Sequence, residues 1–116
     1  MPRDVKLSNE ASADIDAIWE YTAETYTVEQ AQDYLALIEQ GLEDIEQHPE
    51  GPTSLSHPEF GESVRSYHIA LSKKRSGTRI RSPRHVIYYT LKYHDVILVL
   101  RILKDDMDAR RHLTKG

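Results

Sequence analysis

The chain contains no cysteine, which excludes a disulfide framework, a thiol nucleophile and a thiolate metal site. Its five glycines are scattered, so no glycine-rich phosphate cradle is present. No apolar run approaches the ~20 residues that a membrane span needs, and the serine nucleophile elbow is absent. The opening Met1-Pro2-Arg3-Asp4 runs into a strand-like segment without an apolar signal core. These absences lead to the expectation of a cytoplasmic protein with no membrane association. Positive charge is scarce in one half only. Residues 1–62 hold two cations, Arg3 and Lys6, against 15 acids, whereas residues 63–116 hold 13 Lys/Arg against four acids. A net charge of −4 therefore conceals a −13 half and a +9 half. Either the halves neutralise each other, or a basic working face for an acidic partner or nucleic acid stands on an acidic helical back.

At 116 residues the chain fits one domain with its own core. The segment 83–113 organises it. Two adjacent strands, 84–91 and 96–103, are closed by the basic tail Arg110-Arg111-His112-Leu113. In the second strand both alternating sets are mostly apolar: Val96, Leu98, Leu100 and Ile102 on one side, Ile97, Val99 and Leu103 on the other. That pattern predicts a strand covered on both faces, by the preceding helices on one side, with the cover of the other side left open. Upstream, 4–7 reads as a strand, and Ser8 or Asn9 caps an amphipathic helix to about 25 with Ala11, Ile15, Ile18, Trp19 and Thr22 inward. Asp14, Asp16, Glu20 and Glu24 fall on its other side. Thr27 with Gln30 has capping-box spacing and opens a second helix, with stripe Ala31, Tyr34, Leu35, Ile38, Leu42 and Ile45, ending before Pro49. Gly41 in that helix costs about 1 kcal/mol relative to alanine and is expected to mark a close helix contact. Residues 50–62 read as loop, 63–71 as strand, and 73–84, with six cations and no acid, as a long hairpin loop.

The six histidines never fall three or four residues apart, so metal ligation has little support. What remains is a basic, aromatic set: Arg65, Tyr67, His68, Arg81, Arg84, His85, Tyr88, Tyr89, Arg101 and His112. As a surface, it would bind phosphate and stack bases. Alternatively the tyrosines fill a core and the arginines answer acids on the helices.

Several pieces together resemble the RelE/ParE superfamily of toxins from bacterial toxin–antitoxin systems, and in detail its ParE branch. They are Leu7-Ser8, Ala11, Asp14-Ile15, Ile18 and Tyr21; Gln30-Ala31, Tyr34 and Pro49; Val64-Arg65 and Tyr67; Pro83-Arg84-His85 and Ile87-Tyr88; and Arg101-Ile102-Leu103, Met107-Asp108 and Arg111-His112-Leu113. Lys104 stands where the family often carries histidine. The implied fold is α+β: an N-terminal strand, an antiparallel two-helix hairpin on a small, mainly antiparallel sheet of about four strands, and a short C-terminal helix or turn, with 1–116 as one toxin domain. The implied activity is inhibition of DNA gyrase without turnover or cofactor. A ParD-like antitoxin is expected to lie over the grooves and sheet. Expected target contacts are Arg65, Arg84, His85, Arg101, Met107, Arg111, His112 and Leu113; expected antitoxin contacts are Tyr88, Val99 and Leu103. The basic segment 73–84 either meets gyrase-bound DNA or is mobile. One alternative is a RelE-like ribosome-dependent mRNA endoribonuclease, with His68, Arg81, His85, Arg101 or His112 shifting protons or stabilising phosphorane charge. The other is a non-toxic protein-binding scaffold.

Overall fold

A computed structural model describes residues 3–113; Met1 and Pro2, read above as part of a leaderless start, lie outside them. Strand β1 (Asp4–Leu7) runs into Ser8, whose hydroxyl caps helix α1 (Asn9–Thr25) by accepting the Ala11 N–H at 3.0 Å. The same hydroxyl donates to the Leu100 carbonyl at 2.9 Å, so one side chain ties the start of α1 to the sheet. Helix α2 (Val28–Gln47) opens as its spacing predicts, with Thr27 Oγ1 accepting the Gln30 N–H at 2.9 Å, and it stops at His48 before Pro49.

The sheet has five strands, one more than expected: β1, β2 (Leu55–Ser56), β3 (Val64–His68), β4 (His85–Thr90) and β5 (Val96–Lys104). Their order is β1-β5-β4-β3-β2, with β1 parallel to β5 and every other pair antiparallel. The extra strand is two residues long, too short to show an alternating pattern in the sequence. Between the hairpin and one sheet face lies the core, built on Leu37, Ile38 and Ile45 from α2 and on Ile87, Tyr89, Ile97, Val99 and Ile102 from β4 and β5. Gly41 marks a close approach of helix to sheet, not of helix to helix. A methyl group there would meet Ile87 Cδ1 at 3.1 Å and Ile69 Cγ2 at 3.5 Å.

Two expectations need correcting. The segment 73–84 does lie in the connection of an antiparallel strand pair, but that connection starts at residue 69 and is partly helical, not loop throughout. Strand β3 ends at His68, a 3₁₀ turn (Ile69–Ser72) follows, and helical turn α3 (Lys73–Ser76) closes at Gly77, whose φ of 67° is left-handed. Burial sets this course. Ile69 and Ser72 are fully enclosed under α2, and the Ser72 hydroxyl donates to Asp44 Oδ2 at 2.6 Å.

The second correction concerns β5. Its two apolar faces are real, but the chain covers much of the second face itself. Tyr88 opposes Arg101 and Tyr89 opposes Val99, leaving Leu100 as a bulge that re-phases the strand. Register then places Val86, Tyr88, Thr90, Leu98 and Leu103 on the face away from the helices. A 3₁₀ turn at Pro58–Phe60 puts His57 and Phe60 against the Tyr88 ring, at centroid distances of 5.9 and 6.2 Å. Helix α4 (Ala109–Leu113) packs against β5. Of the three expected antitoxin contacts, Val99 is 0% and Leu103 3% exposed, so their side chains are largely enclosed, while Tyr88 is half-buried. Alternation reports that a face is dry; it does not say which atoms dry it.

Candidate functional site

The opening that the chain does not fill lies on the other side, where the hairpin tip parts from the ends of β4 and β5. It is a groove of about 1010 Å³. One wall is Asp14, Ile18 and Tyr21 of α1 with Gln30 and Tyr34 of α2; the other is Arg79–Ser82, Arg84, His85, the end of β5 from Arg101 to Lys104, and Met107. Tyr21 and Tyr26 at its mouth are 61% and 58% exposed and Met107 is 40% exposed, so large apolar groups stand within reach of whatever enters the groove.

The floor is a hydrogen-bonded chain. The Arg84 N–H donates to the Tyr34 hydroxyl at 3.1 Å, and that hydroxyl lies 2.6 Å from His85 Nδ1 with the rings edge to face. With its oxygen occupied by the amide, Tyr34 donates its proton to Nδ1, so His85 is a neutral acceptor. Burial, helped by the nearby Lys104 charge, pushes the His85 pKa down to about 4. Burial also raises the Tyr34 hydroxyl above its ordinary value.

Beside this chain sit two ion pairs. Arg101 makes a bidentate pair with Asp14, Nε to Oδ2 at 2.8 Å and the terminal nitrogen to Oδ1 at 2.9 Å. Asp14 Oδ2 also accepts the Ile102 N–H at 2.9 Å. Asp14, placed by sequence periodicity on the outer side of α1, therefore faces the sheet. Arg84 Nε meets Asp105 Oδ1 at 2.8 Å, and His68 Nε2 meets the other carboxylate oxygen at 3.0 Å. The His68 Nδ1 accepts the Ala70 N–H, which places the proton on Nε2, facing Asp105. Hydrogen bonds from His68 and then Arg84 hold the Asp105 carboxyl below its usual range.

The residues expected to work together are thus distributed. His85, Arg81, Arg84, Arg101 and Met107 line the groove, while Arg65 is turned onto Ser54, with Nε to Oγ at 2.9 Å. His68, Arg111, His112 and Leu113 are not among its walls, so the five residues considered for RNA cleavage do not converge on one pocket. Tyr67 and Tyr89 are 8% and 0% exposed, so they are core and cannot stack bases. Tyr88 lies under the 3₁₀ turn. There His57 joins Ser66 Oγ at 2.7 Å and Glu59 Oε2 at 3.1 Å, the order of a serine–histidine–acid relay. Ser66 is only 5% exposed beneath the imidazole, so this trio clasps the turn to the sheet. Sequence reasoning missed Tyr34 and Asp14 as site residues, because each also satisfies a helical pattern, and missed Asp105, whose only signal was an acid pair in a basic tail.

A helical hairpin laid on a five-stranded sheet, with a groove at its tip rimmed by exposed aromatics and paired charges, defines a small α+β domain. Residues 5–109 match the family described as ParE toxin of type II toxin–antitoxin system, parDE. The chain is 32% identical over 108 residues to Toxin ParE1 of Caulobacter vibrioides, covering 93% of this chain and 95% of that protein. It belongs to the ParE toxin family. The fold is shared with a solved structure titled Chromosomal ParDE TA system from P. aeruginosa, at a TM-score of 0.63 and 19% identity, covering 88% of this chain and 95% of that one. Among the described residues no helix is long and apolar enough to cross a membrane.

Proposed function

We propose that this chain, as a single toxin domain, arrests growth by binding DNA gyrase without turning over a substrate, and is neutralised by a cognate ParD-like antitoxin seated in the groove. The observation that carries the proposal is an overlap. Arg84, His85, Arg101 and Met107, four of the residues expected to face the target, also line the groove. A segment filling it covers them, so neutralisation is direct occlusion. The apolar rim of Tyr21, Tyr26 and Met107 suits the buried side of an amphipathic helix. The half-exposed Val96 and Leu98 beyond α4 offer a second, smaller strip of apolar surface for the same partner.

Supercoiling by purified gyrase is expected to fall on addition of the chain and to recover when antitoxin is added. Primer extension on translated message is expected to show no new cleavage. Unchanged supercoiling together with codon-specific cleavage would replace this reading with the ribonuclease.

A further inference from the structure

The cationic arc 73–84 is a built part of the fold that neither the groove nor the core requires in full. It holds Lys73, Lys74, Arg75, Arg79, Arg81 and Arg84, and no acid or aromatic residue. Its backbone is stitched from within. The Ser76 hydroxyl donates to the Lys73 carbonyl and accepts the Thr78 N–H, and Thr78 Oγ1 accepts the Ile80 N–H. Its apolar side chains, Ile80 and Pro83, are both buried. Two of its arginines are braced from behind by carboxylates of α2, Arg75 on Asp44 and Arg79 on Asp33, each at 3.2 Å. Their side chains nevertheless stay 70% and 82% exposed, with unused N–H donors facing water. Lys74 and Arg81 are exposed and make no ion pair among the described residues. At the crest, Gly77 has nothing within 4 Å of where a Cβ would stand.

The geometry points to the phosphate backbone of duplex DNA as the partner of this arc. It rests on the gyrase reading only for where that DNA is met. Fixed cations around an open glycine crest suit backbone phosphates. With no aromatic residue the arc cannot stack unpaired bases, which disfavours a single strand. With its apolar side chains turned inward it offers no anchor for an acidic peptide. The −13 charge of residues 1–62 disfavours approach of a polyanion from the side of the acidic helices.

The test is fluorescence anisotropy of a short labelled duplex of arbitrary sequence with the full chain across a salt series. Binding is expected to be weak, about 10⁻⁴–10⁻⁶ M, to be sequence-independent, and to fall with salt at a log–log slope of about −3, as for roughly three phosphates. Lys74→Glu with Arg81→Glu is expected to weaken it at least about tenfold with an unchanged melting temperature. Lys92→Glu, outside the arc, is expected to leave it unchanged. Absence of binding at low salt, equal loss in the Lys92 variant, or tighter binding of single-stranded DNA, duplex RNA or polyglutamate would overturn the assignment. The assay contains no gyrase. Inhibited supercoiling without duplex binding would remove this inference and leave the toxin reading; duplex binding without inhibition would do the reverse.

Discussion

At the residue scale, Arg101 is most informative. A charge inside an apolar strand needs a partner, and the partner is Asp14, 87 positions away in sequence. Asp14 is 14% and Arg101 23% exposed, so the pair is neither a surface ornament nor fully dry. Asp14→Ala strands the guanidinium and the Ile102 N–H, and is expected to cost about 2–3 kcal/mol in urea unfolding, below the full penalty for a dry pair because Arg101 still reaches water. Asp14→Leu with Arg101→Met is expected to recover most of that loss; a double-mutant cycle with no coupling would remove the role assigned to the pair. Loss of toxicity in Arg101→Ala alone therefore needs a stability control before it is read as loss of a target contact.

His85 gives a pH prediction with a definite sign. Its pKa is about 4 in the folded state, below the ordinary 6.5. Between those values the unfolded chain binds more protons, so stability rises with pH through the window and is lost as pH falls from about 6.5 towards 4. The contribution at neutral pH is at most about 3 kcal/mol, and less to the extent that solvent reaches the ring. Urea midpoints between pH 4 and 7 are expected to decline on acidification, and His85→Gln to flatten that decline. A wild-type midpoint constant over this range would contradict the buried neutral acceptor. Asp105, held below its usual range, loses its contribution in the same direction at lower pH.

At the element scale, α2 and β4 are pressed together at Gly41. Alanine at this site gains helix propensity of about 1 kcal/mol but must push aside Ile87 Cδ1, which is fully enclosed. Valine has no such balance and is expected to cost about 2–3 kcal/mol through overpacking, visible as a lower thermal midpoint. An unchanged midpoint would mean that the helix–sheet seam is looser than its distances imply. The 3₁₀ turn is a second element with a separable role. Phe60→Ala takes the ring off His57 and Tyr88 and is expected to expose Tyr88, raising its fluorescence quenching by acrylamide without abolishing antitoxin binding in the groove. Loss of antitoxin binding in that variant would return the partner to the outer sheet face.

At the scale of the whole molecule, the groove and the arc divide the positive half of the chain between two tasks, while the acidic helices supply braces for both. Asp14 holds Arg101 at the groove, and Asp33 and Asp44 hold Arg79 and Arg75 in the arc. The charge asymmetry is thus partly internal neutralisation through these pairs, and the exposed remainder is the surface to which the proposed contacts are assigned. Charged substitutions at Tyr21 and Tyr26 are expected to weaken antitoxin binding at least about tenfold, since each buries a charge in an apolar contact. Pull-down of the same variants by gyrase separates the two surfaces.

The sequence alone determined the order of the main strands and helices, the Thr27 cap, the helical hairpin and the family resemblance, because caps, helical stripes and the apolar run of β5 are local patterns carried by adjacent residues. It left undecided what covers each face. Only the tertiary structure decided that Val99 and Leu103 are enclosed, that Lys73–Ser76 turns helical after the buried Ile69 and Ser72, and that Tyr34, His85, Arg84 and Asp105 form one hydrogen-bonded chain. These outcomes depend on contacts between residues tens of positions apart, where periodicity carries no information and only packing selects the partner.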